Sequence, residues 1–402
     1  MRKRVVRVGI VGTGGISRQH VKAYTAAGGF RIVAVCDIVP EKAQQAAQEW
    51  GVRKSRVFSR VEDLVALDEV DAVSVCTFNQ AHREPTVAAL EAGKHVFCEK
   101  PMAATLEDAT AMVRAARRSG KVLQIGIHST FRPEVQLARK LVDAGVLGDF
   151  YYGETTGCRR RGIPGRTFIY KRTAGAGAVV DIGVYNLHNA LYILNYPKPV
   201  RVSAITADYL AHQDPRWDEM DVEEFGVAWI RLEGGAVLIF KISWAVHQDS
   251  LGPTYFLGTR AGIQLGGPVL YLDAVTPEIE ALVREAGGEL EVREGQAKLP
   301  TVHVQGLPRT DVWVAQMTAF REAVLRGGPS PIPPEGVLLT NVVMDGIFRS
   351  HERGEEGAGL RAEAGRVDRS FLRRIPRADR SQAPRGAAFG GVSTPSLRQW
   401  PG

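Results

Sequence analysis

VVRVGIVGTGGIS, from Val5 to Ser17, joins a short valine-rich run to Gly12, Gly14 and Gly15 and then to Ile16–Ala27, where apolar residues recur at helical spacing. An apolar run of this length bounded by glycine reads as a strand buried on both faces, and the glycines read as the turn that delivers the chain into a helix. Gly12, Gly14 and Ser17 fit the pattern G-x-G-x-x-[small]. Gly12 permits a tight turn, Gly14 lets backbone come close to a pyrophosphate, and Ser17 is small enough for helix to pack on strand. Backbone amides at the helix start, among them those of Gly15 and Ile16, would face the anion.

Working outward, RIVAVCD (Arg31–Asp37) is a second buried strand that ends in an acid. A carboxylate there accepts hydrogen bonds from the adenosine ribose hydroxyls and repels a 2′-phosphate, so NAD is expected rather than NADP. Strand and helix signals then alternate: a helix to Trp50, brief strand Val57–Phe58, helix Val61–Leu67, strand Ala72–Cys76, helix Ala81–Ala92, strand His95–Cys98, helix Leu106–Arg118 and strand Val122–Ile127. That rhythm predicts a doubly wound parallel sheet of the Rossmann type over residues 1–127.

Beyond it the rhythm changes. Pro133–Ala144 reads as a helix, Arg159–Gly177 as a basic, glycine-rich loop, and Val180–Leu194 as one continuous helix. Val200–Tyr209, Phe225–Leu232, Ala236–Val246 and Thr254–Leu257 read as strands, with a hairpin turn at Glu233-Gly234-Gly235. Helices follow at Val312–Arg326 and Gly336–His351. An α+β domain over 128–352, built on a large, mainly antiparallel sheet, is the expectation.

At 402 residues, 45% hydrophobic and 24% charged, the chain has the composition of a globular protein of two or three domains. No apolar run is long enough to span a membrane, and MRKRVV leads into glycines rather than into a secretory signal, so a cytoplasmic location is expected. Cys36, Cys76, Cys98 and Cys158 form no C-x-x-C pair and read as free thiols, and the nine histidines lack metal-ligand spacing. Residues 361–402 hold nine Arg, no Lys and three acids, so six of the seven net positive charges sit there. The body is nearly neutral, which argues against nucleic-acid binding by it; the stretch 353–402 reads as a mobile extension.

The carboxyl ends of parallel strands face the ligand crevice of such a sheet. Lys100, just after the fifth strand, would point at the nicotinamide end and could stabilise a developing alkoxide. On one continuous helix Asp181, Tyr185 and His188 share a face, an arrangement suited to taking a proton from an alcohol during hydride loss. Thr77, Asn79, His82 and Glu99 stand at strand ends and should border the cofactor. Arg159 and Arg166, with Lys171 and Arg172 nearby, read either as a solvated loop or as a clamp on an anionic substrate.

Four ordered stretches carry a family resemblance: GIVGTGGIS (Gly9–Ser17), CTFNQAH (Cys76–His82), ALEAGKHVFCEKPMA (Ala89–Ala103) and AGAGAVVDIGVYNLHNALYIL (Ala174–Leu194). Over about residues 5–350 the chain resembles the glucose–fructose oxidoreductase, inositol dehydrogenase and MocA family. The resemblance implies a Rossmann domain followed by an α+β domain whose open sheet mediates homodimers or homotetramers. It implies NAD(P)-linked oxidation or reduction of a sugar or cyclitol, with Lys100 and Asp181 matching the family's Lys of E-K-P and Asp of D-x-G-x-[HY]. Departures are specific. Tyr185 stands where many members have His, as in the glucose–fructose oxidoreductase branch; His188 stands where many have Asp; Phe78 replaces a common proline. The base is therefore open between Tyr185 and His188, and the ordinary histidine pKa favours His188. A non-catalytic dinucleotide-binding sensor is the alternative function.

Overall fold

The computed structural model describes residues 5–354. In the first half β1 (Val6–Val11), α1 (Gly15–Ala27), β2 (Phe30–Cys36), α2 (Pro40–Trp50), β3 (Val57–Phe58), α3 (Val61–Val65), β4 (Ala72–Val75), α4 (Arg83–Glu91), β5 (His95–Cys98), α5 (Leu106–Ser119) and β6 (Leu123–Ile125) alternate as expected. Their strands form one parallel sheet in the order β3-β2-β1-β4-β5-β6. The order reverses between β1 and β4, so a crevice opens there at the strand ends. Local chemistry sets the boundaries. Thr105 accepts the Asp108 N–H at the start of α5, and Gly120 ends that helix in a left-handed conformation.

The second half contains α6 (Pro133–Asp143), β7 (Phe150–Cys158), α7 (Lys171–Ala174), α8 (Ala178–Asp181), α9 (Gly183–Ile193), β8 (Pro199–Ala207), β9 (Phe225–Leu232), β10 (Val237–Ser243), β11 (Tyr255–Gly258), β12 (Ala261–Gln264), β13 (Val269–Leu272), α10 (Pro277–Glu285), β14 (Glu289–Glu294), β15 (Pro300–Gln305), α11 (Val312–Arg326) and α12 (Pro334–Arg353). Nine strands make one sheet, β14-β15-β13-β12-β11-β7-β10-β9-β8, antiparallel throughout except for the β7–β10 pair. One face packs on the helices; Leu238 and Phe240 of β10 point there and are fully buried. The other face is open, and there Ile205, Trp229 and Tyr271 are each about half exposed.

Two findings differ from the sequence expectations. The stretch 261–305 folds into five regular elements that composition did not announce: its strands are short and its outermost one, ELEVRE, is charged. The expected helix over Val180–Leu194 is interrupted at Ile182, which separates α8 from α9. The last two helices return to the first sheet. Met317 and Phe320 of α11 share a core with Val8, Ile10, Tyr24 and Phe97, and Val337 and Leu338 of α12 share one with Met112, Val113 and Ile125. Arg321 donates to the carbonyls of Ala27, the last residue of α1, and Gly28, which caps it, at 3.0 and 2.6 Å. The Arg-rich stretch expected to be an extension lies, from residue 355 on, outside the described residues.

Candidate active site

The glycine turn has the form the residues require. Gly12 has φ +84°, and a Cβ there would stand 2.7 Å from the Cys76 carbonyl oxygen; only glycine fits. A Cβ on Gly14 or Gly15 would meet no heavy atom within 4 Å, so the approach to the α1 amides, Ile16 included, is open. Asp37 follows β2 and accepts hydrogen bonds from the Thr13 backbone N–H and hydroxyl at 2.7 and 2.9 Å and from the Val39 N–H at 2.9 Å. Its neighbour Ile38 is 83% exposed, an apolar surface beside the carboxylate. An open amide cradle, a carboxylate for ribose hydroxyls and an apolar flank together fit NAD.

At the other end of the crevice Lys100 and Asp181 meet. The Lys100 ammonium donates to the Asp181 carbonyl at 2.8 Å and to Oδ1 at 2.9 Å. The remaining carboxylate oxygen accepts the indole N–H of fully buried Trp244 at 3.1 Å. Asp181 sits in α8 because Glu223 organises the turn before it: one carboxylate oxygen accepts the Gly177 N–H and the other the Val179 N–H, at 2.8 and 2.9 Å. Gly177 cannot be otherwise, since a Cβ would lie 1.8 Å from the Glu223 carbonyl oxygen. Burial pushes the Glu223 carboxyl up to about 7, against the pull of those amides.

Tyr185 lies beside this pair, with Lys100 Nζ 5.0 Å from its ring centroid. Burial and the nearby Glu99 and Asp181 carboxylates raise the phenol well above its ordinary pKa. His128, after β6, packs on Tyr185 at 4.8 Å and on Trp313 of α11 at 4.7 Å between ring centroids. Burial lowers its imidazole to about 4. Sequence reasoning passed over His128, Trp244, Trp313 and Glu223; each comes from a distant segment, and a lone residue at a strand end, in a turn or at a helix start carries no local signal.

His188 is elsewhere. With the helix broken at Ile182, it does not share a face with Asp181. It is fully buried, stacks on Tyr192 at 6.4 Å, and has the Thr340 hydroxyl of α12 3.4 Å from Nδ1. Burial pulls it down to about 3. The expectation that His188 is the base is corrected on this geometry: it is a core histidine. Two more expected contacts change. His82 is fully buried, and its Nδ1 donates to the Pro101 carbonyl at 2.8 Å, so it ties the strand-four loop to the Lys100 loop instead of lining the crevice. Glu99 is 4% exposed, and its carboxylate faces inward.

Asn79 donates to the Ala174 carbonyl at 2.8 Å and so docks the start of the Asp181 segment on the first domain, while Thr77 bonds within its own turn to the Ala81 carbonyl at 2.9 Å. Arg159, Arg160 and Arg166 are exposed. Arg159 donates to the Gly162 carbonyl and Arg160 pairs with Asp249. Among the described residues no hydrogen bond joins these arginines to Lys100, Asp181 or Tyr185.

Residues 6–127 match the model of the oxidoreductase family with an NAD-binding Rossmann fold, and residues 135–264 match the GFO/IDH/MocA C-terminal domain. D-glucoside 3-dehydrogenase of Escherichia coli K12 is 33% identical over 315 residues, covering 75% of this chain and 89% of that one. 1,5-Anhydro-D-fructose reductase of Ensifer adhaerens is 29% identical over 370 residues, 88% and 99% of the two chains. The crystal structure of aldose-aldose oxidoreductase from Caulobacter crescentus with glycerol superposes with a TM-score of 0.71 at 25% identity, covering 89% of this chain and all of that one. The chain belongs to the GFO/IDH/MocA oxidoreductase family. It is an NAD-binding dehydrogenase or reductase, and the sensor alternative has no support. Among the described residues no helix is long and apolar enough to cross a membrane.

Proposed function

We propose that the chain oxidises or reduces one hydroxyl or carbonyl of a sugar, sugar derivative or cyclitol, with Lys100 touching the reacting oxygen. The observation that carries this reading is the Lys100–Asp181 pair at the mouth of the crevice. Gly12, Gly14, Gly15, Ile16 and Asp37 would hold NAD, whose nicotinamide takes or gives the hydride. Lys100 donates to the oxygen that gains negative charge. Asp181 fixes the direction of the ammonium and, in the oxidising direction, takes one proton from it, so that the amine left on Lys100 accepts the hydroxyl proton as the hydride leaves for the nicotinamide. Tyr185 supplies a second donor at the same oxygen, since its raised pKa keeps the phenol protonated. The relatives named for glucoside and anhydro-sugar chemistry support a carbohydrate substrate. The test is NADH absorbance with purified protein and a panel of glucosides, anhydro sugars and inositols. Turnover by wild type and none by Lys100→Met fits the reading; equal turnover by both overturns it.

The open sheet face supports a homodimer or homotetramer, because exposed Ile205, Trp229 and Tyr271 make an apolar surface that a second copy would cover. Free Cys36, Cys76, Cys98 and Cys158 support work in the reducing cytoplasm.

A further inference from the structure

Beneath the active-site lysine lies a second charged pair that the proposed chemistry does not use. His20, on the second turn of α1, and Glu99, the residue before Lys100, are 0% and 4% exposed. His20 Nε2 donates to Glu99 Oε1 at 2.7 Å. Glu99 Oε2 accepts the backbone N–H of Lys100 at 3.0 Å. The other imidazole nitrogen is 2.8 Å from the Ser74 hydroxyl and 3.3 Å from the Cys76 sulfur, both at the end of β4. A Cβ on Gly126 would lie 2.9 Å from Glu99 Oε1, so β6 leaves room for the carboxylate and little more. The His20 ring also meets Phe97 edge-on at 5.1 Å.

We infer that His20 and Glu99 are positioning residues: the buried pair holds the Lys100 backbone to the helix that receives the cofactor and keeps the Glu99 carboxylate away from the Lys100 ammonium. The inference rests on the reading of Lys100 as the residue that meets substrate. Its physical core is charge pairing. Glu99 and Asp181 both lie close to Lys100, one through its backbone and one through its ammonium. A buried carboxylate without a partner is costly, so it takes the nearest cation. With His20 in place that cation is the imidazolium, 2.7 Å from the carboxylate, and Glu99 favours its charged form against the opposing effect of burial. Lys100 is then left to Asp181 alone. Without His20 the nearest cation is Lys100 itself, and an ammonium drawn inward no longer points at the substrate. Because His20 belongs to α1, the same pair ties the seat of the pyrophosphate to the position of the lysine.

The experiment compares His20→Asn, Glu99→Gln and the double variant, each also in a Lys100→Met background. Measured are kcat, KM, NAD affinity by fluorescence titration, and the melting temperature. The expected result is a fall in kcat of about ten- to a hundredfold for His20→Asn, the scale of a small misplacement, with NAD affinity held within about threefold. Neutralising both partners should bring kcat back to within about tenfold of wild type, which loss of a merely structural contact does not do. In the Lys100→Met background His20→Asn should cause no further loss. A double variant as slow as His20→Asn, or NAD affinity falling in step with kcat, overturns the inference. If Lys100→Met itself turns over like wild type, it is the reading of Lys100 that has failed. Should His20→Asn not fold, Gly126→Ala presses directly on the Glu99 carboxylate; it should lower kcat with NAD affinity kept, and unchanged kcat counts against the pair.

Discussion

Lys100 and Asp181, 81 residues apart in the chain, are joined twice, through the backbone carbonyl and through the carboxylate of the aspartate. A lysine has a long, mobile stem, and one partner restrains its head only loosely. Two acceptors on one residue fix both the direction and the reach of the ammonium. Each partner comes from a different domain, so the pair also joins the two domains at the site.

Removing the ammonium should therefore cost rate and spare cofactor binding. Lys100→Met is expected to lower kcat/KM about a hundredfold to a thousandfold, roughly 2.7–4 kcal/mol of lost transition-state stabilisation. NAD titration by fluorescence should give an affinity close to that of wild type. A parallel loss of NAD binding would falsify the placement of Lys100 at the substrate.

Trp244 reaches only Asp181 with its indole N–H. Trp244→Phe keeps an aromatic ring, though a smaller one, and deletes the donor, leaving one carboxylate oxygen of Asp181 without this partner. The expected outcome is a drop in kcat of about tenfold, with loss of stability of about 1–3 kcal/mol from the buried acceptor left unmade. Steady-state kinetics together with urea unfolding separate the two. An unaltered kcat would mean that Lys100 alone orients the aspartate.

Asp37 fastens the Thr13 amide and hydroxyl, and we propose for it a second task, the cofactor ribose. Asp37→Ala should admit NADP by removing the repulsion of its 2′-phosphate, and it should also weaken NAD, because the glycine turn loses its anchor. The ratio of kcat/KM for the two cofactors is the measurement. A wild-type enzyme that already prefers NADP would show that Asp37 has been misread.

His188 should matter to acid stability and not to the pH–rate profile. Its folded-state pKa of about 3 lies below the ordinary 6.5. Below 6.5 the unfolded chain binds a proton there that the native chain does not, so the contribution of this group is complete above 6.5 and is lost progressively as pH falls from 6.5 to 3. His188→Leu should lose less stability than wild type between pH 7 and pH 5, by about 2 kcal/mol. Urea midpoints at the two pH values measure it. If instead the acidic limb of the pH–rate profile disappears in His188→Leu, the histidine is the base after all.

The first domain was readable because every level of its sequence points the same way: apolar strands, glycine turns and helix periods recur in order, and Lys100 and Asp181 stand at strand and helix ends where ligand groups belong. The break at Ile182 was not readable. Helical spacing runs straight through it, and what interrupts the helix is tertiary: Gly183 must let Phe240 approach, a Cβ there being 2.7 Å from its ring, and Glu223 organises the turn from another segment. That one-residue interruption moved His188 out of the site. The strands after residue 260 were missed because charged, short edge strands owe their state to the neighbour they pair with, not to composition. His20 and Glu99 carry no spacing signal at all, being joined only when α1 lies against the sheet.

The helices α11 and α12 give the chain an unusual order of assembly. Proteins made on the ribosome commonly complete the domain nearest the amino terminus first. Here the apolar flank of the first sheet, around Ile10, Tyr24 and Phe97, is covered by Met317 and Phe320, which emerge only after the whole nine-stranded sheet has been translated. The nascent first domain therefore waits for this cover through the synthesis of nearly all of the second. A separately produced fragment 1–127 is expected to be sticky and chaperone-bound, and co-production of 128–354 in trans should make it soluble. A fragment that is monomeric and binds NAD by itself would show that the late helices only decorate a body already complete.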